Sequence, residues 1–227
     1  FRRGLAETAR LRRETVPVFL EAAAEAGTPR AIIQSISFIT EPDGRPIHDE
    51  SAPTWTSCGA ETRTTIAAVE AMEAAAATSP VEALVLRYGF YYGPGTAWSS
   101  GGAMGALLRR RMLPVIGSGE GRMSFVHIDD AVSATVAAVA RGERGVYNVC
   151  DDEPARAADW TPEAARLMGA RPPLRIPARL ARLAVPEALV HYNTTLPGNS
   201  NAKAKAALSW QPRPWRQGFQ QAYRPAR

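Results

Sequence analysis

Short apolar runs alternate with alanine-rich helical segments along this chain, and that alternation most constrains its fold. The runs have the length and branching of buried strands, and a segment with helical spacing follows each of them. They read "RAIIQSIS", "LVLRY", "MSFVHI" and "GVYNVC". Alternating strands and helices predict an α/β fold, with a mostly parallel sheet and helices on both faces. Beyond Arg171 the pattern loosens into proline-rich loops and short helices, which predicts a small additional lobe.

Two of the predicted strands end in polar or aromatic loops. "LVLRYGFYYGPGT" ends in three tyrosines and a Gly-Pro-Gly turn, and ligands of open α/β sheets bind beyond the carboxyl ends of the strands. Ser35 and Ser37 end the strand before it, and Ile36 points to the opposite face. We therefore expect Tyr91 or Tyr92 to line a ligand crevice with one of the two serines. The alternative is a structural role: the tyrosine rings would cover the end of the sheet, and the serine hydroxyls would cap the strand.

Composition excludes several other classes of protein. The 227 residues are 45% apolar and 22% charged, which is typical of globular domains. No apolar run approaches the ~20 residues that span a bilayer, and the first residues do not resemble a secretory signal. A cytoplasmic location without a membrane partner is therefore expected. Cys58 and Cys150 have no metal-ligand spacing, so no metal site is predicted.

The formal charge of +5 would permit contact with nucleic acid. The basic residues are scattered, however, and an exposed helix end explains the densest cluster, Leu108–Arg111. Nucleic-acid binding is therefore not favoured. The expected partner is a small-molecule substrate, and a homodimer is left open.

Five segments, in order, resemble the extended short-chain dehydrogenase/reductase family, the NAD-dependent epimerases and dehydratases. They are "AIIQSIS", "LVLRYGFYYGPGT", "FVHIDDAVSATVAAV", "VYNVCDDEP" and "NAKAKAALSWQPRPWRQGF". The resemblance implies a partial Rossmann-like parallel sheet with a small C-terminal substrate lobe. Residues 1–150 would form the later part of an NAD(P)-binding domain with interleaved lobe segments, and residues 151–227 would form mainly the lobe.

Two features of that family are missing from this sequence. No strand is followed by the glycine-rich turn that holds the coenzyme pyrophosphate, so we expect a carboxyl-terminal portion of a longer protein. NAD or NADP would then be bound mostly by the missing part. The family's Tyr-x-x-x-Lys dyad is also missing, since neither Lys203 nor Lys205 has a tyrosine four residues before it. Depending on the alignment, the dyad positions hold Thr62 and Ile66 or Thr65 and Val69.

The resemblance implies a role for each candidate site residue. The catalytic candidates are Ser35, Ser37 and Tyr91, the coenzyme contacts Tyr88, Gly89 and Tyr92, and the substrate contacts Arg122 and His127. Arg122 lies one position before the place of the family's phosphate-binding arginine. Because neighbouring residues on a strand point to opposite faces, the side chain of Arg122 would lie on the other face. His127 precedes a helix, and a structural histidine is the alternative there.

The function implied is an NAD(P)-dependent oxidoreductase of the epimerase/dehydratase type, acting on a carbonyl or alcohol carbon without the dyad. The alternative is an inactive NAD(P)-sensing or regulatory protein on the same fold.

Overall fold

The computed structural model describes residues 2–223. The helices within this range are α1 (Arg2–Arg10), α2 (Val16–Glu25), α3 (Ala60–Thr78), α4 (Ala103–Arg109), α5 (Ile128–Ala140), α6 (Ala157–Leu167), α7 (Ala178–Ala184), α8 (Glu187–Thr194), α9 (Ala202–Leu208) and α10 (Trp215–Ala222). The strands are β1 (Arg30–Ile36), β2 (Ile47–His48), β3 (Glu82–Tyr88), β4 (Phe90–Tyr92), β5 (Val115–Ile116), β6 (Arg122–Met123), β7 (Phe125–His127), β8 (Gly145–Val149), β9 (Ala155–Arg156), β10 (Arg175–Ile176) and β11 (Gly198–Asn199).

The main sheet has three parallel strands in the order β1-β3-β8. Its register places Ile36 opposite Tyr88 and Tyr88 opposite Val149, so the carboxyl ends of all three strands meet at one edge. Within residues 2–223, β1 pairs only with β3. The other edge of β1 therefore presents backbone groups without a neighbouring strand.

Helices cover both faces of this sheet, as the alternating pattern predicts. On one face, α2 and α3 pack against the inward side chains of β1 and β3; this core includes Leu20, Ile33, Ile66, Val69, Met72 and Val85. On the other face, α5 and α9 complete a second core; it includes Leu84, Leu86, Val126, Ala134, Leu208 and Trp210. Strands buried on both sides carry near-continuous apolar runs, which explains the "ALVL" sequence of β3.

A third core lies beyond the carboxyl edge of the sheet. It joins the β4-β7 pair to α4, α6 and α10 through aromatic side chains; these include Tyr92, Phe125, Trp160, Trp215 and Phe219. Residues after 150 contribute to this core and, through α9, to the core on the sheet face. The division at residue 150 stays a prediction.

The first helical segment changes its winding just before Pro17. Leu11–Thr15 form a π-helical turn, and α2 then begins at Val16 with Pro17 in its first turn. Proline has no backbone N–H, and its ring clashes with the carbonyl one turn earlier. Pro17 predicts either a kink or a restart after Thr15. The structure shows the restart, and the wider turn relieves the clash.

The segment "DDAVSATVAAVARG" predicts a helix capped by Asp129 or Asp130, but the N-cap of α5 is His127. The helix begins at Ile128, and the Nδ1 atom of His127 accepts a hydrogen bond from the backbone N–H of Asp129 at 3.2 Å. The imidazole thus takes the place of the usual carboxylate or hydroxyl cap.

No helix in residues 2–223 is both long and apolar enough to cross a membrane.

Candidate functional site

A crevice of about 370 Å³ lies at the carboxyl ends of β1 and β3. We call it the aromatic crevice; its walls are Ile36, Phe38, Gly89, Phe90, Tyr91, Thr96, Ala97, Trp98 and Ile128. Its volume falls within the range of small-molecule sites, and its lining is almost entirely apolar. The fold therefore places an apolar crevice where open α/β sheets bind their ligands.

Packing between aromatic rings holds the crevice walls in place. Phe38, after β1, stacks on Phe90 of β4 with ring centroids 4.2 Å apart. Tyr192 of α8 packs edge-on against both rings, at 5.9 and 5.4 Å. Trp98 packs edge-on against Trp160 of α6 at 5.2 Å. Because each wall ring has an aromatic partner, the crevice is preformed.

Gly89 allows the chain to pass from β3 to β4 along this crevice. A Cβ atom at Gly89 would lie 2.2 Å from the carbonyl oxygen of Ser124. That oxygen accepts a hydrogen bond from the backbone N–H of Phe90 at 2.8 Å. The close approach of two backbones thus requires glycine here. Whether Gly89 also contacts a coenzyme stays a prediction.

Tyr88 and Tyr91 lie together, but only Tyr91 lines the crevice. The Tyr88 hydroxyl lies 2.5 Å from the hydroxyl of Thr135, which donates its hydrogen to the carbonyl of Ala131. Tyr88 is therefore the donor of that pair. The Tyr91 ring lies 5.3 Å from the Tyr88 ring, and burial, with a smaller contribution from Tyr88, raises the pKa of Tyr91 far above its usual value. Tyr91 is thus a neutral phenol at physiological pH.

Tyr92 points away from the crevice into the third core. It is fully buried, and its ring packs edge-on against Phe125, His127 and Phe219. Its hydroxyl has no hydrogen-bond partner among the described residues, and burial raises the pKa of Tyr92 well above its usual value. The structure therefore does not place Tyr92 beside Tyr91 in the crevice wall.

The two serines at the end of β1 are buried on the face opposite Ile36, and it is Ile36 that reaches the crevice. Ser35 donates a hydrogen bond to Glu73 of α3 at 2.8 Å. The Ser37 hydroxyl has no partner within residues 2–223. Of the two, only Ser37 keeps an unused hydroxyl near the strand end, while Ser35 is part of an ion-pair network with Glu73 and Arg87.

Arg122 lines a different cavity, of about 380 Å³, together with Arg45 and Glu120. Its guanidinium forms no hydrogen bond or ion pair with the described part of the chain. His127 is buried between the α5 cap and the Tyr92 ring. Burial lowers the pKa of His127, and Arg213 lowers it further. A neutral imidazole suits its capping role.

The positions aligned with the family dyad lie on α3. Ile66 and Val69 are core residues, so neither lysine position of the two alignments reaches the crevice. The two lysines of the chain have other contacts. Lys203 donates to the carbonyl of Val146 at 2.7 Å, and Lys205 pairs with Asp152 at 2.9 Å.

The glycine loop before α4 bears on whether this chain can hold a whole dinucleotide. A Cβ atom at Gly102 would lie 2.4 Å from the carbonyl oxygen of Ala97, and one at Gly105 would lie 2.3 Å from that of Ser99. Gly102 therefore lets the loop pack closely on itself, and Gly105, within α4, lets the helix pack closely against that loop. The crevice is apolar and ring-sized, so its residues fit the nicotinamide end of a dinucleotide. Residues 2–223 offer no glycine turn for the pyrophosphate of the dinucleotide.

Sequence reasoning missed several wall residues. Phe38, Phe90 and Trp98 lie within or next to the loops that it singled out, so aromatic content beside a strand end was an available signal. Tyr192 lies about a hundred residues further along the chain, and nothing in its local sequence distinguishes it.

Comparison with solved structures defines the class of this fold. Human epimerase family protein SDR39U1, solved with NADPH, superposes with a TM-score of 0.77 at 20% identity, covering 96% of this chain and 74% of that one. UDP-glucose 4-epimerase of Thermotoga maritima, solved with UDP-glucose, superposes with a TM-score of 0.72 at 21% identity, covering 97% and 71%. The predicted Rossmann-like α/β class is thereby confirmed.

The sequence identifies the family within that class. Residues 7–150 match the NAD dependent epimerase/dehydratase family, and the chain belongs to it. A Streptomyces protein, 3-diazoavenalumate denitrifying reductase, is 43% identical over 217 residues, which are 94% of this chain and 71% of that protein. Together, the family and this relative support an NAD(P)-dependent oxidoreductase function, and NAD(P) is the coenzyme class.

Proposed function

We propose that this chain forms the substrate-facing part of an NAD(P)H-dependent reductase that replaces a diazo group by hydrogen. The observation that carries the proposal is the apolar aromatic crevice, whose wall contains one phenol, Tyr91, and no lysine. The relative that reduces 3-diazoavenalumate supports the same reaction class.

The chemistry explains why a Tyr-Lys dyad is dispensable. When bound, a reduced nicotinamide supplies a hydride and becomes NAD(P)⁺. With the diazo group present as an aryl diazonium, R–N₂⁺ plus H⁻ balances to R–H plus N₂. No oxygen atom gains or loses a proton in this change. Carbonyl reduction and epimerisation, in contrast, require a proton donor or acceptor at the reacting oxygen. A site with Thr65 and Val69, or Thr62 and Ile66, at the dyad positions is therefore sufficient for diazo reduction.

The side chains of the crevice would contribute orientation and exclusion of water. The flat walls made by Phe38 and Phe90 suit a planar, conjugated substrate stacked parallel to a ring. An activated diazonium is also attacked by water, which would place a hydroxyl where hydrogen belongs. Closing an active site against water prevents such side reactions. We assign this role to Ile36 and Trp98 together with the two phenylalanines.

The remaining candidate residues enter the proposal with smaller roles. Ser37 has a hydroxyl without a partner within residues 2–223, just beyond the end of β1, and we propose that it contacts coenzyme or substrate there, outside the aromatic crevice. Tyr91 lines the crevice wall and is proposed to contact the ligand ring held there. Arg122, which is free of protein partners within residues 2–223, is proposed to contact an anionic part of a ligand.

A second candidate function is reduction at a carbonyl carbon. Tyr91 favours it, because a neutral phenol in the crevice wall can donate a hydrogen bond to a carbonyl oxygen. An inactive coenzyme-sensing protein is the outcome if neither reaction occurs.

We also propose a cytoplasmic location, supported by dependence on a coenzyme that cells keep inside. A homodimer is proposed from α2, where Val18 and Phe19 are 62% and 50% exposed. We do not extend the proposal to nucleic acid.

The test uses this protein with NADPH deuterated at the transferable position. An aryl diazonium carboxylate is the first substrate and the matching aryl aldehyde carboxylate the second. We expect N₂ release with deuterium on the carbon that carried nitrogen. Deuterium in an alcohol product alone would move the function to the second candidate. No coenzyme oxidation with either substrate would favour the sensing protein.

A further inference from the structure

A second cavity, of about 340 Å³, lies between the loop that joins β2 to α3 and helices α7 and α8. Its polar and aromatic lining is Trp55, Arg182, Glu187, His191, Thr194 and Thr195. We propose that this cavity binds a carboxylate group at the far end of the substrate, with Arg182 as its cationic partner. The inference rests on the proposed function only in taking the ligand to be that reductase's substrate.

His191 shows that the cavity wall contains an unused polar group. Its side chain is 4% exposed, and its Nδ1 atom lies 2.7 Å from the Thr195 hydroxyl. Its Nε2 atom has no hydrogen-bond partner in the part of the chain that the structure describes. A buried polar atom without a partner is costly, by about 1–3 kcal/mol. A ligand oxygen, or water held with it, would satisfy this atom.

Arg182 is the unmatched charge of the cavity. It is exposed and forms no ion pair or side-chain hydrogen bond within residues 2–223. Glu187, the acidic group beside it, is already engaged, because its Oε2 atom accepts a hydrogen bond from the backbone N–H of Gly59 at 2.8 Å. Gly59 is the N-cap of α3, where the helix dipole also favours a negative charge. A guanidinium left free in this way suits a carboxylate, which it can bind through two hydrogen bonds.

A continuous aromatic wall joins this cavity to the aromatic crevice. The Trp55 ring stacks on His191 with centroids 3.8 Å apart, and Tyr192, the next residue, packs against Phe38 and Phe90 of the crevice. The Trp55 indole N–H donates to the Ser57 hydroxyl at 3.0 Å, which fixes its orientation. These packed rings lie between the two cavities, so an extended conjugated ligand would have to follow them from the crevice to place its carboxylate beside Arg182.

The experiment measures binding of sodium cinnamate and of cinnamamide, which lacks the charge, to the protein by calorimetry. We expect Arg182→Ala to weaken cinnamate binding by about 10- to 100-fold and to leave cinnamamide binding unchanged, since a charge-assisted hydrogen bond is lost. Arg179→Ala, on the same helix but outside the cavity lining, is the matched control and should bind cinnamate like the wild type. Thr195→Val should weaken both probes by a smaller factor, because it releases the His191 imidazole.

Equal binding of cinnamate by the Arg182→Ala and wild-type proteins would overturn the inference. So would equal loss in the Arg179→Ala protein, or equal affinity of the wild type for the two probes. This outcome is separable from the proposed function, because binding is measured without turnover. If cinnamate binding depends on Arg182 but no diazo reduction occurs, the proposed reaction is refuted and the carboxylate site is kept. If diazo reduction occurs and the KM of the Arg182→Ala protein equals that of the wild type, the carboxylate site alone is refuted.

Discussion

Glu73 and Arg87 form a buried, two-pronged ion pair beneath the carboxyl end of the sheet. The Arg87 Nε atom donates to Oε1 of Glu73 at 2.8 Å, and the Nη2 atom donates to Oε2 at 2.6 Å. The Arg87 side chain is 7% exposed and the Glu73 side chain is 12% exposed. Since Ser35 donates to the same carboxylate, this pair ties α3 to both β1 and β3 directly below the crevice.

Breaking this pair on one side should destabilise the fold. We expect Glu73→Leu to lower the free energy of unfolding by about 3–5 kcal/mol, because it leaves the Arg87 charge buried and unpaired. The double variant Glu73→Leu/Arg87→Met should recover much of that loss, since neither charge of the pair then stays buried. Urea denaturation measures both. Glu7→Ala, which breaks an exposed pair with Arg10, is the control and should change nothing measurable. A double variant no more stable than the single one would contradict this account.

Gly218 should not tolerate a side chain. A Cβ atom there would lie 1.8 Å from the Tyr92 hydroxyl oxygen, in the fully packed third core. We expect Gly218→Ala to cost about 1–3 kcal/mol through overpacking. Adding Tyr92→Phe should restore part of the loss, because it removes the nearest atom. Thermal unfolding of the two variants measures the difference; equal stability of Gly218→Ala and the wild type would show that the core yields there.

His191 should make stability fall at acidic pH. Burial lowers the pKa of His191 to about 4, with a weak opposing effect of Glu41, against about 6.5 in the unfolded chain. Between these values the unfolded state binds more protons, so stability is full above pH 6.5 and falls as pH decreases to about 4. The loss attributable to this residue is about 3 kcal/mol. His191→Gln should show a shallower fall between pH 7 and 4 in parallel urea titrations. Parallel curves for the two proteins would refute the assignment.

Tyr91 distinguishes the two candidate reactions. If the reaction replaces a diazo group by hydrogen, Tyr91→Phe should change kcat/KM by less than about threefold, because no proton is transferred. If the reaction reduces a carbonyl, loss of the hydrogen-bond donor should lower kcat/KM by about 100-fold or more. Rates with diazonium and aldehyde substrates decide between them. A large loss with the diazonium substrate would contradict the proposed mechanism.

A polypeptide of these 227 residues should bind a dinucleotide only weakly. In the proposed site the aromatic crevice would hold only the nicotinamide end of a coenzyme. Residues 2–223 offer no glycine turn for its pyrophosphate, so several charge-assisted hydrogen bonds of ~1.5 to 3 kcal/mol each would be absent. The free edge of β1 should also make this polypeptide prone to aggregation. Calorimetric titration with NAD and NADP tests the point, and a micromolar dissociation constant for a monodisperse sample would overturn it.

Local sequence determined the elements of this protein and their order. Apolar runs with strand length, alanine-rich segments with helical spacing, and the glycines between them predicted β1, α3, β3, α5 and β8 in sequence. They also located the tyrosine-rich loop at the carboxyl edge of the sheet, where Tyr91 lines the crevice. Periodicity and turn chemistry act over a few residues, so a single sequence is enough to read them.

Tertiary structure alone decided which side chains meet. Strand alternation placed Ser35 and Ser37 on one face, but only the packing of α3 engaged Ser35 with Glu73 and brought Ile36 into the crevice. Tyr91 and Tyr92 are adjacent and chemically alike, yet one lines the crevice and the other fills a core against Gly218. Tyr192 joins the same wall from a helix about a hundred residues away. Contacts between distant segments depend on how layers pack, and short-range patterns carry no record of that geometry.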